Sequence, residues 1–266
     1  MNINGLNVNY LDYGNKDGKA IVLLHGWGQN LQMMTILGEP FKKEYRIIAI
    51  DFPGFGKSDE PAMVMDVGDY TIIVEELLKK LNVKEPVLVG HSFGGRVSVK
   101  FASRNKVSKV ILLSPALRSH DKKGLKTKVL KSLKKVPGIK NLESWAKDHV
   151  GSRDYKAASP VMKQVLVKTV NEDLSEAAKK IKAPVILIYG DQDAEVPEED
   201  TLLYESLIPD CGLIKYDGCT HYAYLERLEK PEGQEDELKC VARALLPPEI
   251  MEGSHLAYEM LQYTII

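Results

Sequence analysis

The chain has 266 residues, of which 44% are apolar, 27% charged and 7% aromatic. That is the profile of a globular protein able to bury a large core, and it excludes a disordered, collagenous or coiled-coil chain. Formal net charge is −1, so the chain as a whole has no blanket attraction for nucleic acid or an acidic membrane.

In chain order, 20–25 (AIVLLH), 46–50 (RIIAI), 86–90 (PVLVG), 109–113 (KVILL) and 184–189 (PVILIY) are short, β-branched, continuously apolar runs. Such runs mark strands buried on both faces of a parallel sheet. Helical patterns lie between them: Tyr70 to Leu81 places Ile72, Ile73, Leu77, Leu78 and Leu81 on one side, and a second helix spans Gly94 to Ser103. This alternation predicts an α/β fold built on a doubly wound, mostly parallel sheet, whose ligands bind beyond the carboxyl ends of the strands.

The alternation breaks over 117–182, which reads as short helices separated by Pro137-Gly138, Gly151-Ser152 and Ser159-Pro160. The expected organisation is therefore a core at 1–116 and 183–246, a helical insertion at 117–182 and an extension at 247–266. The insertion carries 17 Lys and Arg against 7 Asp and Glu, and the rest of the chain 19 against 30, so the near-zero total hides a strong asymmetry. Lys122, Lys123, Lys126, Lys128, Lys131, Lys134 and Lys135 read either as the solvated face of a helix whose apolar side is Leu125, Val129, Leu130 and Leu133, or as a docking surface for an acidic partner.

The chemistry gathers after the strands. Strand PVLV runs into Gly90-His91-Ser92-Phe93-Gly94-Gly95 and then a helix, the strand–turn–helix context of a G-x-S-x-G nucleophile elbow. A serine hydroxyl needs a base to take its proton, and the sharp turn that projects it needs small neighbours such as Gly90 and Gly94. Base and orienting acid should follow in the order serine, acid, histidine. His221, at the end of strand GLIKY and its loop, is the candidate base: His25 and His91 belong to turn motifs, His120 and His149 to the insertion and His255 to the extension. For the acid, Asp191, Asp193, Glu195 and Asp217 all lie in suitable loops, and residue type alone does not choose among them. A tetrahedral intermediate needs two backbone N–H donors. Phe93, directly after the serine, and Trp27, held between Gly26 and Gly28 in the loop that follows His25, are the candidates.

These segments resemble the α/β-hydrolase superfamily in its cap-bearing, serine esterase-like branch: HGWG at 25–28, DFPGFGKS at 51–58, GHSFGG at 90–95, GDQD at 190–193, and His221 followed by Glu226. The resemblance covers about residues 4 to 246 and implies Asp193 as the acid, a Ser92–His221–Asp193 triad, an oxyanion hole from Trp27 and Phe93, and the basic insertion as a lid over the substrate pocket. Serine, not aspartate, at position 92 argues against dehalogenase and epoxide-hydrolase chemistry. The expected activity is hydrolysis of a small-molecule carboxylic ester or thioester. Two other readings accompany it: hydrolysis of a C–C bond in a dienone, and a small-molecule receptor with slow turnover. HGWG, together with the basic insertion, is also similar to esterases whose acyl group rides on an acidic carrier protein.

No metal or organic cofactor is expected, since the chain has no HExxH, no GxGxxG after the first strand and no P-loop. Cys211, Cys219 and Cys240 are odd in number and lack CxxC spacing, which suggests reduced thiols. The start, MNINGLNVNY, has neither a basic nor an apolar region of a signal peptide, and no apolar run approaches the roughly 18 residues of a membrane helix. A cytoplasmic protein with no membrane span and no nucleic-acid partner is expected.

Overall fold

The computed structural model describes residues 1–119 and 158–226. The lysine-rich run from Lys122 to Lys135, with Leu125, Val129, Leu130 and Leu133, lies outside the described residues. So do His120, His149, Cys240, His255 and the extension at 247–266.

A small antiparallel pair, β1 (Asn2–Ile3) and β2 (Leu6–Asn7), precedes a seven-stranded sheet. That sheet contains β3 (Tyr10–Gly14), β4 (Ala20–Leu24), β5 (Arg46–Ile50), β6 (Val87–His91), β7 (Lys109–Leu113), β8 (Val185–Gly190) and β9 (Cys211–Tyr216). Spatial order is β3-β5-β4-β6-β7-β8-β9, with β3 antiparallel to β5 and every other pair parallel. The five runs expected from continuous apolarity are β4 to β8, each placed within a residue or two of its expected bounds. Parallel pairing demands a crossover after each strand, which is why helices cover both faces and why β4 and β6 are buried at every position.

On one face lie α2 (Val67–Lys80), α3 (Phe93–Ala102), α4 (Pro160–Asn171), α5 (Ser175–Ala178) and α6 (Glu198–Leu207), which contribute Tyr70, Val97, Val165, Ala178 and Tyr204 to a core shared with the sheet. The other face is covered by α1 (Gln32–Gly38) and α7 (Ala223–Glu226) through Met34, Leu37, Ala223 and Tyr224. Helix α2 begins with a reciprocal cap: Asp66 Oδ1 accepts the Asp69 N–H, and Asp69 Oδ2 accepts the Asp66 N–H. Its buried stripe differs from the expected one, because Ile72 is 40% exposed while Tyr70 and Val74 are fully buried. At 100° per residue the stripe through 70, 74, 77 and 78 leaves position 72 on the opposite side of the helix, facing solvent.

Of the expected insertion, the described part holds α4 and α5 and no strand. Its two stems are tied to the core by Arg96 on α3. The buried guanidinium donates to the Ala116 carbonyl on the outgoing stem (2.6 Å) and to the Thr169 (2.9 Å) and Glu172 carbonyls on the returning one. Leu174 N–H closes the stems with a bond to the Leu117 carbonyl (3.0 Å). Among the described residues, no helix is long and apolar enough to cross a membrane.

Candidate active site

The carboxyl ends of β4, β5, β6, β8 and β9 lie along one edge of the sheet, and each candidate residue sits on a loop that leaves that edge. At the centre, β6 ends in Ser92 with φ 48° and ψ −110°. A non-glycine residue in this region costs on the order of 1–3 kcal/mol and persists only where its surroundings impose it. Here the Ser92 N–H donates to the Leu113 carbonyl at the end of β7 (2.8 Å), and the Ser92 carbonyl accepts from Arg96 N–H (3.1 Å). The turn also needs bare backbone on both sides. A Cβ on Gly90 would stand 2.5 Å from the Gly94 carbonyl oxygen, and one on Gly94 would strike the Leu24 and His25 carbonyls. Helix α3 thereby starts against the loop that follows β4.

In that loop, His25 is fully buried and both its ring nitrogens are occupied: Nδ1–H donates to the Gly26 carbonyl (2.7 Å) and Nε2 accepts the Phe52 N–H (3.0 Å). Burial pushes its pKa down to about 4, so the ring is neutral and links the loops after β4 and β5. Gly26 N–H donates to Gln29 Oε1 (3.0 Å), and Gly28 takes φ 71°. Trp27 packs edge-to-face on Phe55 (4.9 Å between centroids) and Phe93 (5.7 Å). The backbone N–H groups of Trp27 and Phe93 have no hydrogen-bond partner among the described residues.

Asp51, at the end of β5, was missed as a functional support by residue-level reading. Its buried carboxylate accepts Asn9 Nδ2–H (2.7 Å), Leu31 N–H (2.7 Å) and Lys57 N–H (2.9 Å), gathering the loop before α1, the 51–58 turn and the segment after β2. The signal was present as an aspartate at a strand end followed by Gly54 and Gly56. Gly54 also faces the insertion, since a Cβ there would strike Met162 of α4.

On the far side of the elbow, the loops after β8 and β9 are laced together. Asp191 Oδ1 accepts the Gly218 N–H (2.7 Å), and Gln192 N–H donates to the Cys219 carbonyl (2.9 Å). Asp193 Oδ1 accepts the N–H groups of Glu195 (2.8 Å) and Val196 (2.9 Å), leaving Oδ2 to accept from His221 Nδ1–H (2.8 Å). Asp217 is exposed. The four acids left open by the sequence thus separate: Asp193 holds the imidazole at Nδ1, Asp191 serves the loop, Glu195 Oε2 lies 3.5 Å from His221 Nε2, and Asp217 is exposed.

His221 is also tied to the elbow. His91 Nε2–H donates to the His221 carbonyl (3.1 Å), and the two rings stand 4.9 Å apart. The other His91 nitrogen lies 3.2 Å from Gln29 Oε1, so one buried ring spans the loops after β4, β6 and β9. Burial, with His221's charge nearby, pushes the His91 pKa down to about 3, which keeps it neutral. His221 shifts the other way. Burial opposes charge on its ring, but the Asp193 hydrogen bond, the Asp193 charge and the Glu195 charge outweigh that and raise its pKa. For Asp193, burial favours the neutral acid, but the His221 bond and charge and two backbone N–H groups lower the pKa. The Ser92 hydroxyl makes no hydrogen bond among the described residues. Also among the described residues, no group of three or more His, Cys, Asp or Glu side chains could hold a metal ion.

The fold and this edge of loops define a doubly wound α/β enzyme with a serine on a strained strand–helix turn. A family model for the alpha/beta hydrolase fold matches residues 19–143. The AB hydrolase superfamily protein YisY of Bacillus subtilis (strain 168) is 25% identical over 241 residues, covering 80% of this chain and 88% of that protein. The bifunctional esterase/perhydrolase DCH of Acinetobacter calcoaceticus is 28% identical, covering 82% and 90%. Among solved structures, the esterase EaEST from Exiguobacterium antarcticum superposes with a TM-score of 0.68 at 21% identity, covering 92% of this chain and 97% of that one. The chain has the α/β-hydrolase fold and is an enzyme of the hydrolase class.

Proposed function

We propose that Ser92, His221 and Asp193 form a catalytic triad that hydrolyses a carboxylic ester or thioester of a small molecule, with the backbone N–H groups of Trp27 and Phe93 as the oxyanion hole. The observation that carries this reading is where hydrogen-bonding capacity is left over. Ser92 Oγ and the Phe93 N–H on the elbow, and the Trp27 N–H on the loop after β4, lack partners among the described residues, and His91 of the elbow is tied to the His221 carbonyl. Two unpaired donors beside a strained serine suit a developing oxyanion, because donors fixed in advance need no reorganisation when charge appears.

In the proposed reaction, Ser92 Oγ attacks the acyl carbon while His221 Nε2 takes its proton. Nδ1–H stays on the Asp193 carboxylate, which fixes the tautomer and stabilises the imidazolium. As the tetrahedral intermediate collapses, His221 returns the proton to the departing alcohol or thiol and leaves an acyl-Ser92 enzyme. Water, deprotonated by His221, then releases the acid. Residues 117–182 are proposed as the lid over the pocket, with Arg96 fixing both stems and Met162 reaching the 51–58 loop.

The test is intact-mass labelling with a small fluorophosphonate together with turnover of p-nitrophenyl esters of increasing acyl length. A single adduct lost in Ser92→Ala, with ester turnover falling about 10³-fold or more, is the expected result. Unchanged turnover in Ser92→Ala sinks the reading.

A further inference from the structure

We propose that Glu195 is a positioning residue that occupies the reactive side of the His221 imidazole in the resting enzyme and sets the acidity at which turnover begins. This rests on the triad reading and deepens it.

The geometry comes from one short loop. Asp193 and Glu195 are two residues apart, and the Glu195 N–H donates to Asp193 Oδ1 (2.8 Å), so the backbone that places one carboxylate also places the other. Their side chains reach opposite nitrogens of the same ring: Asp193 Oδ2 is 2.8 Å from Nδ1, and Glu195 Oε2 is 3.5 Å from Nε2. Nε2 is the atom that must accept the serine proton, yet its neighbour here is Glu195, while Ser92 Oγ makes no hydrogen bond among the described residues. A carboxylate on each side favours a proton on both nitrogens, and a doubly protonated imidazole is not a base.

The two carboxylates differ in freedom. The Asp193 side chain is 3% exposed and spends Oδ1 on two backbone N–H groups, whereas the Glu195 side chain is 50% exposed. Glu195 can therefore swing into solvent when Ser92 and substrate take over Nε2, and Asp193 cannot. Among the described residues, Asp193 and Glu195 are the charges that act on the ring. His91, from the elbow, is buried and neutral, and Tyr222 meets the ring edge-on at 5.6 Å. Asp191 is committed to the Gly218 N–H, and Glu226 to Thr220.

The experiment uses the full chain as wild type, Glu195→Gln and Glu195→Ala. It measures kcat/KM for p-nitrophenyl acetate from pH 5 to 9 at low salt, and the His221 titration midpoint by imidazole NMR on the same proteins. Loss of a half-exposed charge partner should lower both the acid limb and the NMR midpoint by about half a pH unit. Relative to its own plateau, each variant's rate at pH 5.5 should then rise about threefold. Adding 0.5 M NaCl should shrink the difference from wild type, since the carboxylate is half in water. An NMR midpoint and acid limb that superpose on wild type in both variants overturn the proposal. A lowered midpoint with an unmoved acid limb overturns its link to turnover. If wild type itself shows no ester turnover, the triad reading fails, and the NMR midpoint still reports whether Glu195 holds the ring.

Discussion

Two histidine–aspartate clusters, on loops to either side of the elbow, use the same side-chain types to opposite ends. Around His25 and Asp51, both ring nitrogens and the carboxylate are matched to partners inside the protein, and burial holds the ring neutral with a pKa near 4. Around His221 and Asp193, one ring nitrogen is matched and the other faces a half-exposed carboxylate, while Ser92 Oγ and two N–H groups go without partners among the described residues. A buried polar group left unmatched is costly, about 1–3 kcal/mol each. The first cluster therefore reads as framework, and the second as a site whose partner is not among the described residues. The difference lies in the accounting of donors and acceptors and in exposure: His25 and Asp51 are buried, whereas Asp193, Ser92 and Trp27 are partly open.

Replacing Asp193 with Asn should separate the clusters most sharply. The amide can still fill the space, but it no longer favours the tautomer with the proton on Nδ1 or stabilises the imidazolium. Turnover should fall about 10³- to 10⁴-fold, equivalent to about 4–5.5 kcal/mol of barrier, with a smaller loss of stability than Asp51→Ala shows. Steady-state kinetics alongside urea melts would check this, and a large stability loss with preserved turnover would reverse the roles assigned to the two clusters. Asp51→Ala should show the mirror image. It strands the buried Leu31 N–H and the partly buried Asn9 Nδ2–H and Lys57 N–H, so unfolding free energy should drop by about 2–3 kcal/mol. At temperatures where the variant stays folded, it should retain a larger fraction of turnover than Asp193→Asn. A variant as stable as wild type would mean that water readily replaces the carboxylate, and Asp51 would lose its place as the hub.

This asymmetry explains what could be read from the sequence. Strands β4 to β8 were legible because a strand buried on both faces admits only apolar residues, and the elbow because Gly90 and Gly94 have no room for a Cβ. The edge strand β3, in NYLDYG, was not legible, because it has no fully buried position and no alternation of apolar with polar residues. Nor was the choice among Asp191, Asp193, Glu195 and Asp217. All four sit in turn-forming sequence, and only the lacing of the β8 and β9 loops decides which carboxylate meets which nitrogen. Asp51 escaped for a related reason: its three partners lie at positions 9, 31 and 57, and no local pattern announces that they converge.

The smallest effect is the most specific to charge. His221 has its folded pKa raised, so the stability it contributes is complete below its unfolded value, about 6.5, and fades as pH climbs through the folded one. Asp193 has its folded pKa lowered, so its contribution is complete above its unfolded value, about 3.9, and is lost as pH falls through the folded one. The two windows overlap between about pH 4 and 6.5, where a charged imidazole faces a charged carboxylate. The stability difference between wild type and Asp193→Asn should peak there, exceeding its value at pH 8.5 by about 1 kcal/mol, which urea melts at several pH values would resolve. Above the window the neutral ring keeps its Nδ1–H bond, so the difference shrinks without vanishing. The His25 cluster predicts the contrary slope. A ring held near 4 when folded and free to protonate near 6.5 when unfolded makes the protein less stable as pH falls from about 6.5 to 4. Wild-type stability alone mixes these opposing slopes, whereas the difference between the two proteins cancels the His25 contribution. A difference curve that is flat from pH 4 to 8.5 would mean that no charged pair forms at His221 in the resting enzyme.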